Sequence, residues 1–278
     1  MDAITRRARR LVGEAAIPVR AALIRRRFHA YCIGTPKSGT HSIAAVFARY
    51  RTAHQPLRET LNAIILARLE DHLPDAQAAE RVREWDRRLW LEMTSECNTY
   101  FILDLLLAEF PDSRYILTIR DPYTWLDSFL NHGANFAGKQ HRRDQNRRLG
   151  DIQFKAGQYH HAPQEQVLAE RGSYTLDGYF AYWAEHNQTV IDRVPPERLL
   201  VVRTPDIGRS LPQMADFLSI PAETLDAGHS HEFRSEKKLG LLDQIDRAYL
   251  ESKIEAHCRP LLDHFFPEIK SLDDAIKR

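Results

Sequence analysis

The chain has 278 residues, 43% of them hydrophobic, and a formal net charge of +1 at pH 7. That apolar content excludes disorder throughout and is enough for one large core, while the near-neutral balance excludes a general nucleic-acid binder. No apolar run approaches the roughly 20 residues that span a bilayer and no signal-peptide pattern opens the chain, so a cytoplasmic protein is expected. Its three cysteines, Cys32, Cys97 and Cys258, are widely spaced and form no CxxC pair. That pattern suggests neither a disulfide framework nor a zinc site.

In chain order, residues 1–28 hold eight arginines against Asp2 and Glu14. They predict a basic helical segment, which leaves weak association with a membrane surface open. Residues 29–278 are expected to form one α/β domain. The runs at 31–33, 115–119 and 199–203 are short, apolar and without alternation, as expected of parallel strands covered on both faces. Helical periodicity links them: Ile43, Val46, Phe47 and Tyr50; then Leu61, Ile64, Ile65 and Leu69; then Leu103, Leu106, Leu107 and Phe110; then Leu176 to Val190, closed by Pro195 and Pro196. Strands alternating with helices predict a three-layer, P-loop-like fold with a central parallel sheet and helices on both faces. Residues 131–173 read as a long irregular insertion, and 239–266 as a helical cap with a break at Pro260. Trp125 and Trp183 are expected in the core.

The loop "GTPKSGTHS", 34–42, follows the first strand and opens a helix. Backbone N–H groups from about Lys37 onward can converge on an anion there, with the hydroxyls of Ser38 and Thr40 as further donors. In a Walker loop the lysine follows the last glycine, beside a magnesium-binding Ser or Thr. Here Lys37 precedes Gly39 and Thr40, and His41 and Ser42 follow, which counts against a kinase or NTPase. A second motif, "RDPYTWLDS", 120–128, follows the second strand. Asp121 suits an N-cap and Pro122 the first helical position, placing Ser128 on the Asp121 side of the helix. Arg120 projects from the strand end, where ligands gather in open parallel sheets.

Together, PKSGT after the first strand and RDP with a serine eight residues beyond the arginine resemble the sulfotransferases that use 3′-phosphoadenosine-5′-phosphosulfate (PAPS). The bacterial and carbohydrate-type branches look nearer than the steroid type. The resemblance runs from about Phe28 through "FPDSRYILTIRDP" to the final helices. It implies that Pro36, Lys37, Ser38, Gly39, Thr40 and His41 hold the 5′-phosphosulfate, that Arg120 and Ser128 hold the 3′-phosphate, and that PAP is the product. Ser42 stands where many relatives have a tryptophan of the adenine wall. Arg234, Lys237 and Lys238 are the candidate counterpart of the family's C-terminal basic loop. Lys37 would stabilise the leaving group, a contribution of about 3 kcal/mol if it acts like one oxyanion-hole donor.

The resemblance implies a general base in the segment after the first helix. Glu59 ranks first there, Glu92 second and His54 third, with Glu96 a further polar candidate near the mouth of the site. No metal is expected, because the paired histidines lack ligand spacing. The expected reaction is sulfuryl transfer to a hydroxyl of a small-molecule, sugar or lipid acceptor. The alternatives are a P-loop kinase or NTPase and a non-catalytic nucleotide-binding protein. Oligomeric state is not readable from the sequence.

Overall fold

The computed structural model describes residues 25–133, 140–229 and 239–276. Five parallel strands form one sheet in the order β2-β3-β1-β4-β5. They are β1 (Ala30–Cys32), β2 (Thr52–His54), β3 (Met93–Ser95), β4 (Arg114–Ile119) and β5 (Leu199–Arg203). Cys32 aligns with Ser95 of β3 on one side and Ile116 of β4 on the other. β2 and β3 are three-residue strands without an apolar run, and the periodicity of the sequence does not announce them.

Alternation along the strands explains the layers. Tyr31, Ile33, Tyr115 and Leu117 face one side. There they pack on α2 (Arg58–Leu69), α3 (Asp75–Leu89) and α4 (Leu103–Glu109). Ala30, Cys32, Ile116, Leu200 and Val202 face the other side, against α1 (Thr40–Val46) and α9 (Leu211–Leu218). Burial of this apolar surface, at about 25 cal/mol per Å², is the driving term.

The next elements along the chain are α5 (Pro122–Gly133), α6 (Gln140–Gln153), α7 (Gln166–Glu170) and α8 (Leu176–Arg193). After α9 come α10 (Arg247–His257), α11 (Arg259–Phe265) and α12 (Leu272–Ile276). The segment expected to be irregular is therefore largely helical, since α6 and α7 lie inside it. α6 has few apolar residues but packs on α2, where Leu149 is buried and Asn62 donates to Asn146 at 3.4 Å. In the cap, helix starts only at Arg247, where Asp246 accepts from the Tyr249 N–H. The break falls at Cys258, and Pro260 sits in the first turn of α11. Among the described residues no helix is long and apolar enough to cross a membrane, and all three cysteines are free and buried.

Candidate functional site

Because every strand is parallel, the chain leaves all five at the same edge of the sheet. The loop after β1 is shaped by its carbonyls. The Ile33 carbonyl accepts from His186 Nε2 at 2.6 Å. The Thr35 carbonyl accepts from the Ser38 N–H at 3.1 Å and the Ser38 hydroxyl at 2.7 Å. Pro36 accepts from the Trp125 indole at 2.7 Å, Lys37 from Arg120 Nη1 at 3.4 Å and Ser38 from the Thr204 hydroxyl at 2.6 Å. Gly39 accepts from the Ile43 N–H at 3.1 Å and Thr40 from the Ser95 hydroxyl at 2.6 Å. These bonds commit the carbonyls of Ile33 and of residues 35–40 to the protein. α1 begins at Thr40, and helix geometry directs its first-turn N–H groups and the positive end of its dipole toward the mouth of the site.

Two glycines permit this path. A Cβ on Gly34 would lie 2.1 Å from Thr118 Oγ1 and 2.5 Å from Ser38 Oγ, so only glycine fits. Gly39 has φ +101°, in the left-handed region, and its missing Cβ leaves room for Ile207. Lys37 also has a positive φ, 68°. Such strain in a non-glycine residue clusters at ligand sites.

Arg120 follows β4, beside β1, and its Nε donates to Thr124 Oγ1 at 2.9 Å. Asp121 caps α5 by accepting the Thr124 N–H at 2.9 Å, as its type and the following proline predict. Ser128 lies buried two turns along α5. Trp183, in the middle of α8, donates to the Arg120 carbonyl at 3.0 Å. Arg120 and the Lys37 turn are therefore neighbours, as the two motifs require.

The charges here are predominantly of one sign. Burial and then the nearby Arg120 lower the Lys37 ammonium below its ordinary range, and burial lowers Arg120 against the opposing pull of Asp121 and Asp127. His54 Nε2 lies 3.3 Å from Thr40 Oγ1, and its ring is 5.0 Å from that of His41. Burial, followed by His41, Arg58, Lys37 and His132, pushes His54 down to about 4. Burial, then Lys37 and Arg58, lowers His132 as well. Groups that drive one another's protons off form a seat for an anion, whose charge reverses those penalties.

Several expected residues fall differently. Ser38 is fully buried, and with its one proton on the Thr35 carbonyl it accepts from Thr118 Oγ1 at 3.0 Å. Its hydroxyl braces the loop. Thr40 Oγ1 faces His54, and Ser42 is buried within α1. Glu92 is not near the mouth. It precedes β3 at the opposite edge of the sheet, fully buried and held by Arg27 at 2.9 Å and the Arg51 N–H at 3.0 Å.

Glu59 is exposed in the first turn of α2. Glu96 follows β3 at the ligand edge and caps the next turn by accepting the Asn98 N–H at 3.1 Å. Arg234, Lys237 and Lys238, like most of the basic segment 1–28, lie outside the described residues. Among the described residues no set of His, Cys, Asp or Glu is placed to hold a metal ion.

Sequence reasoning missed Arg58, His132 and His186, and saw Trp125 and Trp183 only as core. The tryptophans are core, yet buried indole N–H groups need partners. That need was the available signal.

A family model described as a sulfotransferase domain matches residues 31–224. No curated protein matches the chain. Among solved structures, the sulfotransferase STF9 from Mycobacterium avium aligns with a TM-score of 0.51 at 14% identity, covering 93% of this chain and 82% of that one. A sulfotransferase domain from the curacin biosynthetic pathway aligns at 0.46 with 17% identity, covering 84% of this chain and 97% of that one. A sulfotransferase from Alicyclobacillus acidocaldarius aligns at 0.45 with 13% identity, covering 84% and 95%. At 14% identity, the first of these shows a common fold.

Proposed function

Because the chain belongs to the sulfotransferase domain family, we propose that it transfers a sulfuryl group from PAPS to a hydroxyl of a small-molecule, sugar or lipid acceptor. The observation that carries this reading is the apposition of two cationic anchors: Arg120 Nη1 reaches the carbonyl of Lys37 itself, at 3.4 Å. A bisphosphorylated adenosine needs two such anchors side by side. A donor bound here supplies a sulfuryl group already activated by its phosphate leaving group.

Lys37, the opening turn of α1 and His41 hold the 5′ end, while Arg120 and Ser128 hold the 3′-phosphate. Arg234, Lys237 and Lys238 remain the proposed closing loop. As the acceptor oxygen bonds to sulfur and the bond from sulfur to phosphate oxygen breaks, Lys37 offsets the charge gathering on the departing oxygen.

His54 takes the acceptor's proton. It stands on the loop through Thr40 and is neutral at pH 7, which a base must be before it can act. The donor's negative charge would raise its proton affinity at the moment it is needed. Residues 29–278 act as one domain in this reading, and the buried free thiols suit a reducing cytoplasm.

A thermal-shift comparison tests the donor class. PAP should stabilise the protein by several degrees and ATP with magnesium should not. Stronger stabilisation by ATP with magnesium would overturn the reading.

A further inference from the structure

The sheet order divides the site. β1 lies between β3 and β4, with β2 beyond β3. Arg120, directly after β4, is thus on one side of the Lys37 turn, and His54, Arg58 and Glu96 are on the other. On the proposed function, the first side serves the 3′-phosphate and the second receives the acceptor.

Arg58 differs from several arginines whose forks are closed on carboxylates. Arg26 places two nitrogens on Asp86 at 2.8 and 3.0 Å. Arg27 holds Glu92 at 2.9 and 3.1 Å, and Arg68 holds Asp75 at 3.0 Å and Asp104 at 2.9 Å. Among the described residues Arg58, with 31% of its side chain exposed, has only Glu96 at 4.0 Å and the Cys97 sulfur at 3.7 Å.

Among the described residues its Nε, like those of Arg26 and Arg203, is buried without a hydrogen-bond partner, and so is Oε2 of Glu96. Glu96 is fully buried, and its other oxygen is committed to the cap on Asn98. The two charges are close enough to tolerate burial and too far apart to satisfy each other. A guanidinium fork in that condition is suited to a ligand oxyanion, with which it can make two parallel bonds.

We propose that the acceptor is a hydroxylated acid, its carboxylate anchored by Arg58 and its hydroxyl presented to His54 four residues earlier in the chain. This rests on the sulfotransferase reading and names its substrate class. Neutral alcohols of the same shape leave Arg58 as it stands and gain nothing from it.

The test uses the full chain saturated with PAP and titrates a panel of small hydroxylated carboxylates, such as 4-hydroxybenzoate and a hexuronate glycoside, each against its methyl ester. At least one acid should bind tenfold or more tightly than its ester. Arg58→Gln should abolish that preference with PAP affinity held within threefold, and Arg58→Lys should keep part of it. Glu96→Gln, which removes the competing carboxylate, should strengthen acid binding.

If no acid in the panel outbinds its ester, or if Arg58→Gln leaves the preference intact, the inference is overturned. If the wild-type chain fails to bind PAP at all, the donor reading itself has failed. The two failures are thus separable.

Discussion

At the scale of single residues the proposed chemistry rests on Lys37 and His54, and they are distinguishable from their neighbours by what the protein asks of them. Lys37 keeps a left-handed backbone, φ 68°, and half-buries its ammonium beside Arg120. The half-buried charge costs stability and alanine removes it, while the backbone strain stays with any residue that carries a Cβ, so Lys37→Ala should leave the thermal midpoint unchanged or slightly higher while lowering kcat by about 10²–10³. Single-turnover sulfuryl transfer from labelled PAPS would measure it, and a loss below tenfold would remove the lysine from its role.

For the proton, His54→Asn should cost about 10²–10⁴ in kcat and erase the acidic limb of the rate profile. Glu59→Gln, at an exposed position of α2, should stay within fivefold. The reverse order would make Glu59 the base.

Elements decide whether those residues meet. α8 reaches both motifs from one face: Trp183 holds the Arg120 carbonyl, and His186, one turn on, holds the Ile33 carbonyl where the loop departs from β1. The His186 ring is itself stacked on Tyr100 at 4.4 Å. Removing either donor strands a buried carbonyl, at about 1–3 kcal/mol, and should do so selectively. Trp183→Phe loosens Arg120 and should weaken PAP at least fivefold with adenosine 5′-phosphate, which lacks the 3′-phosphate, within twofold. His186→Leu loosens the start of the loop and should weaken both ligands. Calorimetric titration of the two nucleotides checks the pattern, and equal losses in both variants would refute it.

This clamp also shows what the sequence could disclose. β1, β4 and β5 were legible because apolar residues crowd them, and Lys37 and Arg120 because each sits in a local motif next to such a strand. β2 and β3 were not, since "TAH" and "MTS" become strands only by register with β1. The direction of the Ser38 hydroxyl depends on Thr118 of β4, and Arg58 and His132 reach the site from two different helices. α6 was hidden because "QHRRDQNRRLGDIQ" has almost no apolar stripe, and its helix is made by docking on α2.

For the whole molecule, the site's electrostatics become a dependence of stability on pH. His54 and His186 are each held near 4 in the fold, against 6.5 for an ordinary histidine. Between those values the unfolded chain binds protons that the folded chain refuses. Stability is therefore full above pH 6.5 and falls as pH drops toward 4. For fully buried His186 the loss is on the order of 3 kcal/mol by pH 4, and for His54 less, because it keeps some contact with solvent.

Asp86, Glu92, Asp104 and Asp177, all lowered against the opposing effect of burial by basic partners or hydrogen bonds, lose their contribution only below the ordinary carboxylate range. They do not mask the histidine window. Glu96, raised by burial, opposes the histidines as it takes up its proton. Against a total of about 5–15 kcal/mol for a typical fold, the net loss is large.

A bound anion should relieve the part that belongs to the site. Negative charge beside Lys37 and His41 lets His54 keep a proton, so the stabilisation conferred by saturating PAP should grow as pH falls from 7 to 5. His186, which lies behind the loop with its ring stacked on Tyr100, should continue to weaken bound and free protein alike. Urea denaturation at pH 7, 6 and 5, with and without PAP, would resolve the two contributions. A PAP increment that stays constant across that range would mean that His54 does not feel the bound anion.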